Sequence, residues 1–454
     1  MSFTEREILE KLSKVQEIDK GIFECLLDKL EFNKVKRFKH TARQIARRYL
    51  TRGLSECFSR LTVDQLIKRV NIDTGKKKVL FLAGHPTFDL LGISLYLRER
   101  GEHETILLIE NPLLIATMEG YFDTVYVYDS FYDVARIINR VNPYVIHVQG
   151  AINYYFFGIV ARFLSSSKVV VGLYDIPAFG IKQDDYKNLW GDTDTMLDSY
   201  AGGEFAFKHA DGVLVTIHSL EAGQILKQRF RSDVPIIEFH SYVCEDFIGD
   251  EEKLSRSDGC LHLVYGGIVI PSHLPRRLFG DVQFFGLIET ITRQNIYFDI
   301  YPSPHFRPWM TRRRLSDYVT LSRENQFFKY RESILPNVAA PIFSKYDFAA
   351  MMYFIDGVEI DQEHHRMVIP SKFFKYLEAG LPILVSEELH YVAKLVREYE
   401  IGIVVSRRDI DSLAETVARY DYNKLKSNVM VAQRELSMGQ HIDRLIEFYE
   451  HLNG

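Results

Sequence analysis

The stretch VIPSKFFKYLEAGLPILVS, residues 368–386, passes from a loop through a short helix and a glycine stop into an apolar strand. Pro370 keeps the preceding chain extended, and Ser371 is placed to cap the helix, its hydroxyl accepting from an amide two or three residues on. Phe373, Phe374 and Leu377 give the helix an apolar face, Gly380 ends it, and LPILVS follows as a buried strand. No acid stands beside Lys372 at the helix start. Free first-turn amides and the aligned peptide dipoles suit phosphate oxygens there, and Lys372 adds a full charge. The same pattern also fits a capped helix that does no more than pack on a core.

Working outward, apolar runs recur with helix-length segments between them. VLFLAG, TILLIE, TVYVYD, YVIHVQG, KVVVGLYD, GVLVTI and VPIIEF occupy the first half; LHLVYGG, IYFDIYP, YDFAAMMYF, LPILVS and IGIVVS occupy the second. Alternation of this kind builds parallel sheets covered on both faces. The predicted fold class is α/β, with two Rossmann-like domains facing a cleft. The expected divisions are a helical N-terminal extension over 1–75, a first domain over 76–258, a second over 259–430, and a C-terminal helix, 431–454, returning to the first domain. The charged, apolar-poor GDEEKLSRSDG is read as the linker.

The extension shows helical spacing and two capping-box patterns, Ser2 with Glu5 and Thr62 with Gln65. From Lys34 to Arg52 it carries Lys34, Lys36, Arg37, Lys39, Arg43, Arg47, Arg48 and Arg52 with no acid, while Phe38, Ile45, Tyr49 and Leu50 are apolar. Such a segment suits peripheral contact with an anionic membrane, or a solvated face of a helix docked on the main body. The chain as a whole has 46% hydrophobic residues and a net charge of −5, which gives no case for nucleic acid. Cys25, Cys57, Cys244 and Cys260 form no paired motif, so neither a disulfide framework nor a zinc site is indicated, and a cytoplasmic location is expected. The sequence contains no run of about 18 apolar residues of the kind that spans a bilayer.

Further candidate residues sit at strand ends, where ligands of open α/β sheets bind. Gly266 and Gly267 close LVYGG, allowing close backbone approach, and Arg276 and Arg277 follow with guanidinium groups that match phosphate geometry. His85 follows the first strand, His147 and Gln149 lie in VIHVQG, and Asp175 ends VVVGLYD; these are candidates to orient an acceptor hydroxyl or act as its base. DTD at 192–194 lacks a preceding apolar strand and is read as a solvated loop, and His364 with His365 has no third ligand at helical spacing for zinc.

Taken in order, NPYVIHVQG, VVVGLYD, HADGVLVTIHS, LVYGG, KYDFAAM and IPSKFFKYLEAGLPIL resemble the motifs of GT-B-fold glycosyltransferases, in particular the retaining "group 1" sugar-nucleotide transferases, over about 76–450. The resemblance implies a sugar transferred from a nucleoside-diphosphate sugar of UDP or GDP type to a glycan, lipid-linked sugar or protein, in glycan or glycoconjugate synthesis, with no cofactor and no divalent metal. It puts Ser371, Lys372, Gly266 and Gly267 at the diphosphate and, loosely, Arg276 and Arg277 with them. Asp175 falls on the aspartate of the family's His-Asp pair, where Tyr174 replaces the histidine. The family's two glutamates separated by seven residues are replaced by Met367 and Lys375. An ammonium cannot accept from ribose hydroxyls as a carboxylate does, so with Lys375 and Glu378 as the candidates at the donor ribose or sugar, either Glu378 on the same helix face takes that task, or the donor lies differently, or catalysis is lost. The departure also admits a non-catalytic, transferase-like binding or scaffolding subunit.

Overall fold

Runs rich in Val, Ile and Leu can leave neither face in water, so they assemble where helices cover both sides. The computed structural model describes residues 3–32, 34–52, 61–84, 88–110, 118, 120–174, 176, 194–304, 308–355, 357–359 and 362–454. Over these residues the chain divides into two compact units, Met1–His240 with Ile442–Gly454, and Ser241–His441.

The first unit contains a sheet in the order β3-β2-β1-β4-β5-β6-β7. Its strands are β1 (Lys77–Ala83), β2 (His103–Ile109), β3 (Thr124–Val127), β4 (Val145–Gly150), β5 (Lys168–Leu173), β6 (Gly212–Val215) and β7 (Ile236–Glu238). The second contains β10-β9-β8-β11-β12-β13, built from β8 (His262–Gly267), β9 (Tyr297–Pro302), β10 (Phe328–Tyr330), β11 (Phe348–Met351), β12 (Ile383–Ser386) and β13 (Gly402–Val405). Every neighbouring pair is parallel. Both sheets are therefore Rossmann-like, and each expected apolar run forms its strand. β10 went unpredicted because three edge residues, FKY, are too short to show a period.

In both orders the chain reverses direction of build-up beside its first strand, between β1 and β4 and between β8 and β11. Those reversals open a crevice at the carboxyl ends of the strands. In the second unit the crevice lies at Gly266–Gly267 and just after Met351.

The N-terminal helices are α1 (Phe3–Ile18), α2 (Lys20–Leu30), α3 (Lys34–Arg52) and α4 (Val63–Val70). α1 buries Ile8, Leu12 and Val15, and α2 buries Ile22, Leu26 and Leu30. The Thr62–Gln65 capping box forms at the start of α4, with both reciprocal bonds present. Ser2 lies outside the described residues. Within the first unit the final helix is tied down by Lys77–Glu450 at 2.6 Å and by a two-pronged Arg100–Asp443 contact at 2.8 and 2.9 Å. The charged stretch 249–259 is not a free tether. Lys253 Nζ donates to the carbonyls of Ser344 and Tyr346, and Ser255 donates to Asp347, so this stretch packs on the second unit. Among the described residues no helix is long and apolar enough to cross a membrane.

Candidate functional site

The helix that opens at Lys372 spans Lys372–Glu378, with Phe373, Phe374 and Leu377 buried. Its end is a Schellman turn: Gly380, at φ +64°, donates to Leu377 and Leu381 donates to Tyr376. Its start differs from the expectation. Ser371 has helical backbone angles and no side-chain capping bond, because the turn begins one residue earlier, with Phe373 donating to the Pro370 carbonyl at 2.9 Å.

Lys372 reaches across the end of β8. Its Nζ donates to the Tyr265 hydroxyl at 2.8 Å and to the Tyr353 hydroxyl, and lies 4.4 Å from the centre of the Tyr265 ring. The Tyr265 hydroxyl donates its own hydrogen bond to the Ile268 carbonyl at 2.7 Å, so its oxygen is left to accept. Tyr353 is held through its backbone by Ser386, at 3.1 and 2.8 Å. Below the ammonium lies Gly267 at φ +151°, where an added Cβ would sit 2.6 Å from Nζ. Gly267 is thus glycine for the site as well as for its backbone angle. Gly266 is glycine for packing: its Cβ would fall 2.5 Å from the Phe343 ring, and its amide donates to the Tyr376 hydroxyl at 3.0 Å.

Among the described residues Lys372 has no carboxylate within ion-pair distance, an unusual state for a half-buried ammonium. Burial among the tyrosines pushes its pKa down to about 7, with Asp281 pulling weakly the other way. The arrangement is a half-buried ammonium held on two phenol oxygens, with no carboxylate at ion-pair distance among the described residues.

Asp281 is a residue that sequence reasoning missed. Its charge also raises Tyr265 and Tyr353, so it lies near the same cluster, and its buried Oδ1 has no hydrogen-bond partner. Its Oδ2 is 3.6 Å from Nε2 of His365, a ring 3% exposed with both nitrogens without hydrogen bonds. A single aspartate in GDVQ carries no sequence signal of this kind. Among the described residues neither His365 nor any other group gathers three metal-ligating side chains.

Lys375 and Glu378 serve a different purpose from the one expected. They form a buried ion pair at 2.6 Å, and the other Glu378 oxygen accepts from the Cys244 amide at 2.9 Å. Glu378 is 0% exposed and Lys375, 6% exposed, lies 4.6 Å over the Phe247 ring. With both oxygens engaged and no route to solvent, Glu378 cannot receive a ribose. Arg276 and Arg277 are exposed on the short helix Arg276–Phe279, and Arg277 pairs with Glu359 at 2.7 Å.

In the first unit His147 lies inside β4 rather than at its end, opposite Phe81 of β1. Its Nδ1 shares a proton with the Tyr449 hydroxyl at 2.7 Å, Nε2 has no partner, and burial drives its pKa down to about 3. It is a neutral core residue, and the expected role as an acceptor base does not suit it. Gln149 is buried as well. His85, Asp175, Asp192 and Thr193 lie outside the described residues. Near the end of β5 a cavity of about 230 Å³ is lined by Tyr155, Leu173, Ile176, Phe207 and Arg229.

Residues 356–448 match the family described as Glucosyltransferase 3-like, C-terminal domain. Among solved structures the chain is similar to HepE of Anabaena in complex with UDP-glucose, at 14% identity over 82% of this chain and 99% of that one, with a TM-score of 0.56. It is similar also to sucrose-phosphate synthase of Thermosynechococcus elongatus, at 12% identity, 83% and 99% coverage and TM-score 0.58. A third is the catalytic domain of starch synthase IV of Arabidopsis thaliana bound to ADP and acarbose, at 10% identity, 83% and 99% coverage and TM-score 0.50. No curated protein sequence matches. At these identities the likeness establishes the fold, which is the GT-B glycosyltransferase fold.

The Lys375–Glu378 pair generates a stability test. Lys375→Ala leaves a carboxylate buried without its counter-charge and should cost about 3–5 kcal/mol in urea unfolding. The double variant Lys375→Met, Glu378→Gln keeps an acceptor for the Cys244 amide and removes both charges, so it should recover most of that loss. A Lys375→Ala protein as stable as the parent would show that the pair is not structural.

Proposed function

We propose that the chain is a glycosyltransferase of the retaining group 1 type, taking its sugar from a nucleoside-diphosphate sugar of UDP or GDP type. The observation that carries this is Lys372, a cation without a carboxylate partner, held over a positive-φ glycine at the carboxyl end of β8. A site at that reversal of strand order is where the fold admits a ligand, and an unpaired ammonium there selects an anionic one. The structure of HepE with UDP-glucose, and the Glucosyltransferase 3-like match across the segment holding Lys372, support a sugar nucleotide as that ligand.

In this scheme the diphosphate oxygens lie on Lys372 and close to the Gly267 backbone. Negative charge grows on the leaving diphosphate as the glycosidic bond breaks, and a fixed ammonium among aromatic walls stabilises that charge more than water would. Arg276 and Arg277 are assigned to the outer phosphate oxygens, so that the protein's own cations neutralise the diphosphate. Asp281, with an unpartnered oxygen beside the cluster, is assigned to the hydroxyls of the donor sugar, in place of the missing glutamates. The acceptor hydroxyl is assigned to the first unit, with His85 and Asp175 as orienting groups and the cavity near the end of β5 as its subsite. A second possibility is a protein that binds sugar nucleotides without turnover. Its support is that Met367 and the locked Lys375–Glu378 pair supply no free carboxylate where the two glutamates would stand.

Calorimetric titration with UDP-glucose, UDP-N-acetylglucosamine and GDP-mannose should find at least one ligand. Lys372→Met should weaken it roughly tenfold to hundredfold, the worth of a charge-assisted hydrogen bond. No binding to the parent chain, or equal turnover in the variant, would end the proposal; binding with no turnover would favour the second possibility. Asp281→Asn should leave UDP affinity close to unchanged while lowering kcat/KM for the complete donor.

The pH dependence carries its own sign. Lys372 titrates near pH 7 when the site is empty, and a bound diphosphate favours the charged form, so binding takes up a proton above that pH. Donor affinity should be flat below about pH 7 and fall by up to about tenfold per unit above it. In Lys372→Met that slope should vanish, and heats measured in buffers of different ionisation enthalpy should show the proton uptake directly.

A further inference from the structure

Helix α3 carries eight basic residues and no acid. Its apolar residues recur at strict three- and four-residue spacing, Val35, Phe38, Ala42, Ile45 and Tyr49, which places them on one face. In a helix packed against its own protein that face would be buried. Here most of it is turned outward: Val35 is 65% exposed, Phe38 73% and Tyr49 51%, Ala42 and Ala46 are exposed with them, and Ile45, on the side nearer Arg37, is half-buried. Contact with the body comes from elsewhere on the helix. Arg37, about 80° around the axis from Ile45 and about 100° or more from the other residues of that face, lies 3.1 Å from the buried Glu5 and 3.8 Å over the Tyr132 ring. Lys39 and Arg43, both exposed, border the stripe.

We propose that α3 is an interfacial membrane helix, which lies along a bilayer containing anionic phospholipid with its apolar stripe in the acyl boundary and its cations on the phosphates. The combination of features decides among partners. A nucleic acid would satisfy the charges and leave Phe38, Val35 and Tyr49 in water. A second copy of the chain would cover the stripe, but a paired helix would bring only cations to the flanks, since α3 has no acid to offer. An anionic bilayer meets both halves at once, because apolar side chains insert by several ångströms while Lys and Arg stems carry their charges to the headgroups. Membrane binding by this surface does not depend on sugar transfer, so it stands or falls separately from the donor site.

Flotation of the full chain with vesicles tests it. The protein should rise with vesicles of phosphatidylcholine mixed with phosphatidylglycerol, stay behind with phosphatidylcholine alone, and be released by high salt. The exposed-face variant Phe38→Ser, Tyr49→Ser should remain at the bottom of the gradient with donor binding unchanged. Lys39→Ala, Arg43→Ala should lower the partition coefficient by roughly fivefold for each charge removed. Three results would overturn the proposal: no flotation with either vesicle, equal flotation with both, or duplex RNA bound in preference to the anionic vesicles with Phe38→Ser, Tyr49→Ser still binding it. A dimer in sedimentation that becomes monomeric in the double serine variant would overturn it too, since the stripe would then be a seam between copies.

Discussion

The proposed donor site depends on one charge, the ammonium of Lys372. Lys372 has surrendered much of its hydration to sit on two phenol oxygens, and among the described residues no carboxylate stands within ion-pair distance, Asp281 acting on it only from further off. A neutral hydroxyl accepts a hydrogen bond from an ammonium but does not cancel its charge, so the phenols leave the compensation incomplete. Three separate parts of the chain maintain that condition. Tyr265 comes from β8 itself, Tyr353 follows β11 and is pinned by Ser386 of β12, and Lys372 opens the helix before β12. The parallel order of the sheet is what brings those pieces together at one edge.

One turn further along the same helix, a second lysine shows the opposite solution. Lys375 is deeper than Lys372, and in place of phenols it meets Glu378 at 2.6 Å. Glu378 in turn holds the Cys244 amide and, through its carbonyl, the Gly249 amide. A short helix thus carries one cation neutralised by a buried carboxylate and one without a carboxylate at ion-pair distance among the described residues, the one proposed to meet a ligand. Exchange of the two environments would undo both arrangements: a paired Lys372 would have nothing to offer the proposed phosphate, and an unpaired Lys375 would be a charge in the core.

Most of this architecture was legible because it follows from pattern. Apolar runs of four or more residues announced their strands, GLP announced the end of the helix, and Thr62 with Gln65 announced α4. The errors share a cause: sequence places a residue along the chain and leaves its direction open. His147 occupies an apolar strand like its neighbours, and alternation turned it into the core against Tyr449. Glu378 lies on the expected helix face, but that face is covered. Asp281, 91 positions before Lys372 in the chain, became visible as part of the cluster only after folding brought its charge to bear there. Lys372 itself was readable, since a lysine with no nearby acid at the start of a helix, just before a buried strand, already poses the electrostatic question.

The two sheets share the order 3-2-1-4-5-6 in their strands, yet their crevices are filled in opposite ways, which is why the anion site is proposed in the second unit and not in the first. At the first reversal the backbone after β1 passes Gly84, where an added Cβ would fall 1.7 Å from the ring of Tyr154. That ring lies directly on the main chain, and its hydroxyl is fixed to Glu110 at 2.5 Å. A phosphate seeking backbone contact at Gly84 would have to displace an anchored aromatic side chain and would meet a carboxylate behind it. At the second reversal the atom above Gly267 is the ammonium of Lys372, which attracts the same ligand. A glycine at a strand end is therefore ambiguous by itself: it admits either a neighbouring ring or a ligand, and the charge of whatever lies against it decides which.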